Sequence, residues 1–183
     1  SGKPNNQVLD KMTESIFHRG PDDGGRVVND NFSVGYRRLA IIDLTMGLYP
    51  LTNEDKTIQV MNNGEIYNYQ ALREELEELG HKFTSESDTE VIAHGYEEWG
   101  EKVVSHLRGM FVIVLYNKQK DELFIARDRL GIKPLYYTQT EGRVVFGSEI
   151  KGLLSGFNIN REVDQDSLYK FLTARIHDTN QDT

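Results

Sequence analysis

The chain has 183 residues, a formal net charge of −8 and no cysteine. This length fits one domain with or without a tail, and no apolar run approaches the ~20 residues that span a bilayer. The acidic charge argues against nucleic acid and against an anionic membrane as partners. The lack of cysteine excludes disulfides within these residues and fits a cytoplasmic protein.

The first half of the chain begins with a helical pattern and continues with short strands. Apolar side chains at helical spacing predict a helix over residues 8–17. A loop rich in glycine, proline and aspartate ends this helix. Strand-like runs follow at residues 26–28, 32–37, 39–43 and 57–61.

Two helices are predicted after these strands. Residues 69–79 have helical periodicity and end at Gly80, a residue typical of helix C-termini. The buried face of this helix is predicted to consist of Leu72, Leu76 and Leu79. The sequence Ser-Asp-Thr-Glu at residues 87–90 is a capping-box pattern, which begins a second helix that ends near Trp99.

The second half of the chain is rich in short strands separated by polar turns. These runs lie at residues 110–116, 122–127, 134–138 and 144–147. Their spacing indicates antiparallel sheet rather than βαβ repeats. Helices are predicted over residues 149–154 and 164–174, with a linker between them. The predicted fold class is therefore α+β, with helices outside antiparallel sheets.

The most informative segment is residues 63–68, with the sequence NGEIYN. It lies between a strand-like run and a helix, which predicts a tight strand-to-helix turn, and it places the side-chain amide of Asn63 beside the backbone N–H of Gly64. Two adjacent donors of this kind can stabilise the oxyanion of an acyl-transfer reaction. Because Asn-Gly is also the commonest hairpin turn, the segment by itself favours an ordinary turn.

Charged residues elsewhere in the chain make the prediction of a binding site more specific. Either Arg37 or Arg38 must face inward, because side chains alternate along a strand, and an inward guanidinium pairs with a carboxylate of the protein or of a ligand. Asp88, at the first turn of a helix, either favours the helix dipole or holds an ammonium group. A carboxylate clamp, an acidic group and an oxyanion site together suit an α-amino acid with a carbonyl side chain.

No metal site and no cofactor are predicted within these residues. The spacing of the histidines indicates no metal ligands, and the glutamates on the outer face of the helix at residues 69–79 are interpreted as solvated surface. Ordinary surface or core roles are therefore expected for His18, His81, His94, His106 and His177. Nucleotide-binding loops, zinc-protease motifs and serine-hydrolase motifs are absent from the sequence.

Eight segments, in order, resemble the motifs of one known family. They are HRGPD at 18–22, RRLAIID at 37–43, NGEIYN at 63–68, SDTE at 87–90, LRGMF at 107–111, ARD at 126–128, GIKPLYY at 131–137 and GSEIK at 147–151. The chain resembles class II glutamine amidotransferase domains, in particular the glutaminase half of glutamine-dependent asparagine synthetases. The resemblance implies an N-terminal-nucleophile hydrolase fold, a four-layer αββα sandwich of antiparallel sheets.

The resemblance also implies that L-glutamine is hydrolysed to glutamate and ammonia. By position, Arg38 would hold the substrate α-carboxylate, and Asp88 with Glu65 would hold its α-ammonium. Ile41 and Ile42 would contribute backbone and an apolar wall. The Asn63 side chain and the Gly64 N–H would form the oxyanion hole.

The chain departs from the family at three places. The family begins Met-Cys-Gly-Ile and uses the cysteine as nucleophile, whereas this chain has no cysteine. We therefore expect the first strand to be missing here and the chain to be inactive alone. Tyr49 stands where the family has glutamine before proline. The ATP-dependent half of the synthetases is also absent.

The resemblance predicts two parts in the chain. Residues 1–155 would be the glutaminase domain, and residues 156–183 the linker to a C-terminal synthetase domain that uses ATP and Mg²⁺ to amidate a carboxylate, expected to be aspartate. The sequence does not decide whether the protein forms a homodimer. The alternative hypothesis is a non-catalytic module that binds glutamine or braces a synthetase domain without a nucleophile of its own.

Overall fold

The structure, a computed structural model, describes residues 5–38, 49–140 and 142–175. The predicted strand at residues 39–43 lies outside these ranges, and Ile41 and Ile42 lie outside them as well. None of the described helices combines the length and the apolarity needed to cross a membrane.

The described residues form six α-helices and eight β-strands. The helices are α1 (Asn6–Ser15), α2 (Tyr69–Glu78), α3 (Glu90–Trp99), α4 (Val103–His106), α5 (Ile150–Gly156) and α6 (Gln165–Ala174). The strands are β1 (Asp23–Val28), β2 (Ser33–Arg38), β3 (Leu51–Thr52), β4 (Ile58–Ile66), β5 (Gly109–Asn117), β6 (Glu122–Arg127), β7 (Tyr136–Thr140) and β8 (Arg143–Gly147).

Each strand pair among the described sheets is antiparallel. The largest sheet has the order β3-β4-β5-β6, and its central pair runs in register from Ile58 opposite Asn117 to Ile66 opposite Gly109. Two further sheets are the hairpins β1-β2 and β7-β8. Helices flanking antiparallel strands confirm the predicted α+β class.

The elements stack in four layers. Helices α1 and α5 pack against each other, with α1 on β2 and α5 on β8. A small core including Val34, Met61 and Val114 fills the space between the hairpins and the four-stranded sheet. On the other face of that sheet, α2 and α3 enclose a larger core that includes Leu76 and Ile92. The order helix, sheet, sheet, helix is the one that the sequence resemblance implies.

Two details at the helix ends differ from the sequence-based predictions. Leu79 is 56% exposed, because α2 ends one residue before it, while Leu72 and Leu76 are buried as predicted. The prediction that residues 87–90 form a capping box is wrong. Helix α3 begins only at Glu90, whose carboxylate is turned back to accept hydrogen bonds from the backbone N–H groups of Thr84 and Ser85.

Asp128, which follows β6, organises the loop that leads to β7. Its carboxylate accepts hydrogen bonds from the N–H groups of Phe111 at 3.3 Å, Ile132 at 2.9 Å and Lys133 at 3.0 Å. Burial acts to raise the pKa of Asp128, but these backbone donors outweigh burial and lower the pKa below its ordinary value. This part of the ARD motif supports the fold.

We expect Asp128→Asn to lower the free energy of unfolding by about 2–4 kcal/mol, because an amide NH₂ cannot accept the N–H bonds that one carboxylate oxygen now receives. The contribution of a carboxyl with a lowered pKa is present above its unfolded-state value and is lost as the pH falls through the folded value. The free energy of unfolding in urea should therefore fall toward acidic pH more steeply for the wild type than for the variant. Asp10→Asn, at an exposed ion pair with Arg26, is the control, and equal losses in both variants would contradict this role.

Candidate active site

The candidate residues meet at one cavity of about 1320 Å³ between the hairpins and the four-stranded sheet. Its lining includes Arg38, Asn63, Gly64, Glu65 and Asp88. These residues come from β2, from β4 and from the turn before α3. The tertiary structure therefore brings together all of the predicted site residues that lie within the described ranges.

Arg38 is the inward member of the arginine pair. It lies on β2 with Val34 and Tyr36, four and two residues earlier, which pack in the core between the sheets. Arg37 points to the opposite face, where its guanidinium lies 4.5 Å from the Phe17 ring centre and donates to the Gly20 carbonyl. Both arginines line the cavity, but Arg38 lies on the core-facing side of the strand, whereas the Arg37 side chain holds the loop after α1.

Residues 63–66 continue β4, because they pair with β5, and do not form the predicted turn. Alternation along β4 directs the Asn63 side chain to the cavity face. Met61, two residues earlier, packs in the core between the sheets, whereas Val60 packs on the helix side. Asn63 shares the parity of Met61, so its amide points toward the hairpins. Glu65 follows on the same face.

The backbone of Gly64 lies along a sheet edge where none of the described strands pairs with it. Strand β3 pairs with β4 only at Gln59 and Val60. Beyond them, the N–H of Asn62 donates to Tyr49 at 2.6 Å and the N–H of Ile66 donates to Asp88 at 2.7 Å. Because N–H groups alternate in direction along a strand, the intervening Gly64 N–H points to the same edge. An amide side chain and a backbone N–H therefore flank one point of the cavity wall.

Only glycine fits at position 64. Its φ is +153°, and an added Cβ would lie 1.9 Å from the carbonyl oxygen of Met110 on β5. The close approach of the two strands leaves no room for a side chain. This packing holds the Gly64 N–H in a fixed position, as an oxyanion donor requires.

Asp88 and Glu65 form an acidic corner of the cavity. Asp88 Oδ2 accepts the Ile66 N–H, and Oδ1 accepts the Thr89 hydroxyl at 3.4 Å. Burial raises the pKa of Asp88, and the neighbouring charge of Glu65 raises it further, so that the pKa lies above its ordinary value despite these hydrogen bonds. Two carboxylates that repel each other at a cavity wall favour the binding of a cation between them.

Tyr49 belongs to the site, although the sequence indicated it only as a departure from the family. Its buried hydroxyl accepts the Asn62 N–H and donates to the Asn62 carbonyl at 3.2 Å, and burial raises its pKa. Tyr36 donates to the Tyr49 carbonyl at 2.7 Å and packs edge-on against its ring. These contacts hold the edge of β4 just before Asn63 and Gly64, the candidate oxyanion donors.

Comparison with known proteins identifies the family of the chain. The glutamine amidotransferase domain family matches the chain over residues 1–183. Asparagine synthetase [glutamine-hydrolyzing] 1 of Bacillus subtilis is 44% identical over 93% of the chain, and asparagine synthetase [glutamine-hydrolyzing] 3 of Arabidopsis thaliana is 48% identical over 78%. The chain spans 27% and 25% of these two relatives, about a quarter of their length.

Solved structures support the fold. Glutamine phosphoribosylpyrophosphate amidotransferase from B. subtilis superimposes with a TM-score of 0.69 at 20% sequence identity, covering 85% of this chain and 42% of that one. This likeness confirms the predicted N-terminal-nucleophile hydrolase fold. The chain belongs to the family of class II glutamine amidotransferase domains and is similar in sequence to the glutamine-hydrolysing asparagine synthetases.

Proposed function

We propose that this chain is the glutamine-binding and oxyanion-stabilising part of a glutaminase domain, within an amidotransferase of the asparagine-synthetase type. The observation that carries the proposal is the single cavity with Arg38 on one strand, the Asn63 and Gly64 donors on another, and the Glu65 and Asp88 carboxylates beside them. Each group matches one part of L-glutamine. Arg38 would pair with the α-carboxylate, and the two carboxylates would hold the α-ammonium.

The reacting carbon is the side-chain amide carbon of glutamine. A thiolate adds to it, the carbonyl oxygen becomes an oxyanion, and the Asn63 amide and the Gly64 N–H stabilise that charge. Collapse breaks the C–N bond, releases ammonia and leaves a γ-glutamyl thioester, which water hydrolyses to glutamate. The nucleophile would be an N-terminal cysteine preceding these residues, with its own α-amine as base.

The ammonia would pass to a further domain. The relatives are about four times longer than the matched region, so we propose that a C-terminal synthetase domain activates a carboxylate, expected to be aspartate, with ATP and Mg²⁺. Residues 156–183 would lead to that domain. Helix α6 within them buries none of its described residues, as expected for a segment outside the core of the glutaminase domain. A cytoplasmic location and a homodimer stay predictions.

A second candidate function is a glutamine-binding module without catalysis. It is favoured by one observation: the binding groups are assembled at the cavity, yet these 183 residues contain no cysteine. Such a module would bind glutamine or brace a synthetase domain that uses free ammonia.

Intact-mass measurement and N-terminal sequencing of the natively expressed protein separate the two candidates. A mature N-terminus of Cys-Gly-Ile ahead of Ser1, together with glutamine hydrolysis, supports the glutaminase. A mature protein without such a cysteine supports the binding module, and calorimetry should then detect glutamine binding. A protein that neither hydrolyses nor binds glutamine would contradict both glutamine-dependent functions and leave only the bracing role.

Arg38→Lys is expected to raise the KM for glutamine roughly 10- to 100-fold with a smaller effect on kcat, because lysine cannot form two parallel hydrogen bonds with a carboxylate. Arg37→Lys, on the opposite face of the same strand, is the matched control and should leave KM within about twofold. Steady-state kinetics, or calorimetric titration of an inactive form, measures both. Equal effects of the two substitutions would contradict the assignment.

A further inference from the structure

A second cluster of titratable side chains lies on the other side of the four-stranded sheet, among α2, α3 and the turn after β3. It consists of Glu54, His81, His94 and Glu97, and one ligating atom from each lies within 4.8 Å of the others. The glutaminase chemistry uses none of these residues. The cluster is therefore a separate feature of the fold.

His94 carries the strongest signal for a ligand. Its side chain is fully buried on α3, and its Nδ1 makes no hydrogen bond. Most buried polar atoms in proteins have a partner, so an unpartnered ring nitrogen calls for an explanation. Glu54 Oε2 lies 3.2 Å from this nitrogen without hydrogen-bond geometry. The buried Nδ1 thus lies beside a carboxylate oxygen without a hydrogen bond to it.

The second histidine faces the same carboxylate. His81 Nδ1 lies 3.2 Å from Glu54 Oε1, and the two imidazole ring centres are 5.0 Å apart. Tetrahedral zinc, with bonds of about 2.0–2.2 Å, holds neighbouring ligand atoms about 3.3–3.5 Å apart. His94 Nδ1 lies at nearly that separation from Oε2 of Glu54, and His81 Nδ1 lies at nearly that separation from Oε1, so either carboxylate oxygen is close to a tetrahedral distance from one histidine.

Each of these four side chains also has a hydrogen-bond partner outside the cluster. His94 Nε2 lies 3.5 Å from Glu90 Oε1, and His81 Nε2 lies 3.0 Å from Glu98 Oε1. The Lys82 N–H donates to Glu54 and the Asn53 amide donates to Glu97. A carboxylate at one ring nitrogen of histidine keeps the other nitrogen available for a metal and raises its basicity.

We propose that Glu54, His81, His94 and Glu97 bind one divalent transition-metal ion, with zinc as the best fit, as a closed four-coordinate structural site. Two imidazoles with two carboxylates suit zinc rather than magnesium or calcium, which prefer oxygen ligands alone. The ion would join the turn after β3, the segment after α2 and the helix α3. Four protein ligands leave no open position for chemistry, so the expected effect is on stability.

The test uses the full-length protein after treatment with a chelator, titrated calorimetrically with Zn²⁺ and, separately, with Co²⁺ for its visible spectrum. We expect one equivalent of Zn²⁺, a tetrahedral Co²⁺ spectrum and a melting temperature that rises with Zn²⁺. His94→Gln should remove this equivalent. Glu98→Gln, which changes only the partner of His81, should weaken binding roughly 10- to 100-fold.

Two further variants keep the test decisive. Glu97→Gln, at an exposed position that should fold normally, is expected to weaken Zn²⁺ binding at least about tenfold. His18→Gln, at an exposed histidine paired with Glu149, should leave the binding unchanged. No Zn²⁺ binding by the wild type, or equal binding by the wild type, His94→Gln and Glu97→Gln, would overturn the proposal and leave the cluster as an ordinary set of ion pairs.

Discussion

Asn63→Ala in the full-length enzyme is expected to lower kcat for glutamine hydrolysis about 10²–10³-fold, with a much smaller change in KM. The loss of one preorganised oxyanion donor typically has this effect, because the donor acts on charge that develops only in the transition state. The position of Asn63 on the cavity face of β4, next to the edge N–H of Gly64, is the structural reason. Steady-state kinetics and single-turnover release of ammonia measure it.

The adjacent Asn62 provides a matched control. It shares the parity of Val60, so its side chain lies on the helix side of the sheet, where both of its amide atoms are buried without hydrogen bonds. Asn62→Ala should leave kcat within a few-fold of the wild type. A turnover that is unaffected by Asn63→Ala, or equally affected by both substitutions, would show that the oxyanion assignment is wrong.

Asp88→Asn is expected to weaken glutamine binding by about 2–4 kcal/mol, or roughly 30- to 1,000-fold, because the α-ammonium would lose a charged partner in a partly buried site. The fold should not be weakened. The Asn oxygen can still accept the Ile66 N–H, and the substitution removes the repulsion between Asp88 and Glu65. Calorimetry with glutamine and thermal unfolding at pH 7 measure the two effects.

The raised pKa of Asp88 predicts the direction in which Asp88→Asn changes the stability. A carboxyl whose folded-state pKa lies above its ordinary value of 3.8 binds its proton more tightly in the folded protein. Its ionisation therefore lowers stability as the pH rises from the ordinary value through the raised one. Asp88→Asn should abolish this loss, so that the melting temperature at pH 7 stays the same or increases. Glu86→Gln, at a highly exposed neighbour, should change neither property.

A purely structural role of Asp88 predicts the reverse pattern. If the carboxylate serves only to support the turn before α3, the substitution should lower the melting temperature and leave glutamine affinity intact. That result would remove Asp88 from the binding site and leave Arg38, Glu65 and the proposed oxyanion donors as its charged and polar contacts.

Local patterns in the sequence predicted most helices and strands to within a few residues, since periodicity and turn formers act over short distances. Helix α2 is predicted at residues 69–79 and observed at Tyr69–Glu78. The errors lie where a tertiary contact overrides a local preference. Glu90 was expected to cap its own helix, but its carboxylate binds the backbone of the preceding loop instead.

The sequence predicted residues of the candidate site but not the contacts that bring them together. Alternation required one of Arg37 and Arg38 to face inward, but the identity of that residue depends on the register of β2 against α1 and the sheet below. The acidic corner depends on a contact between residues of β4 and the turn before α3. Tyr49 was noticed only because it departs from the family, and its hydrogen bonds to Asn62 appear only in the folded chain.

The sequence by itself determined the α+β class and the family and predicted the oxyanion segment, because composition, periodicity and ordered motifs are all local or collinear properties. Only the tertiary structure decided which side chains meet. Packing of the two sheets brings Arg38, Asn63 and Asp88 to one cavity, and packing of α2 and α3 on β4 brings His81 and His94 to Glu54. Contacts between residues far apart in the chain depend on how the layers stack, and no spacing along the sequence encodes that arrangement.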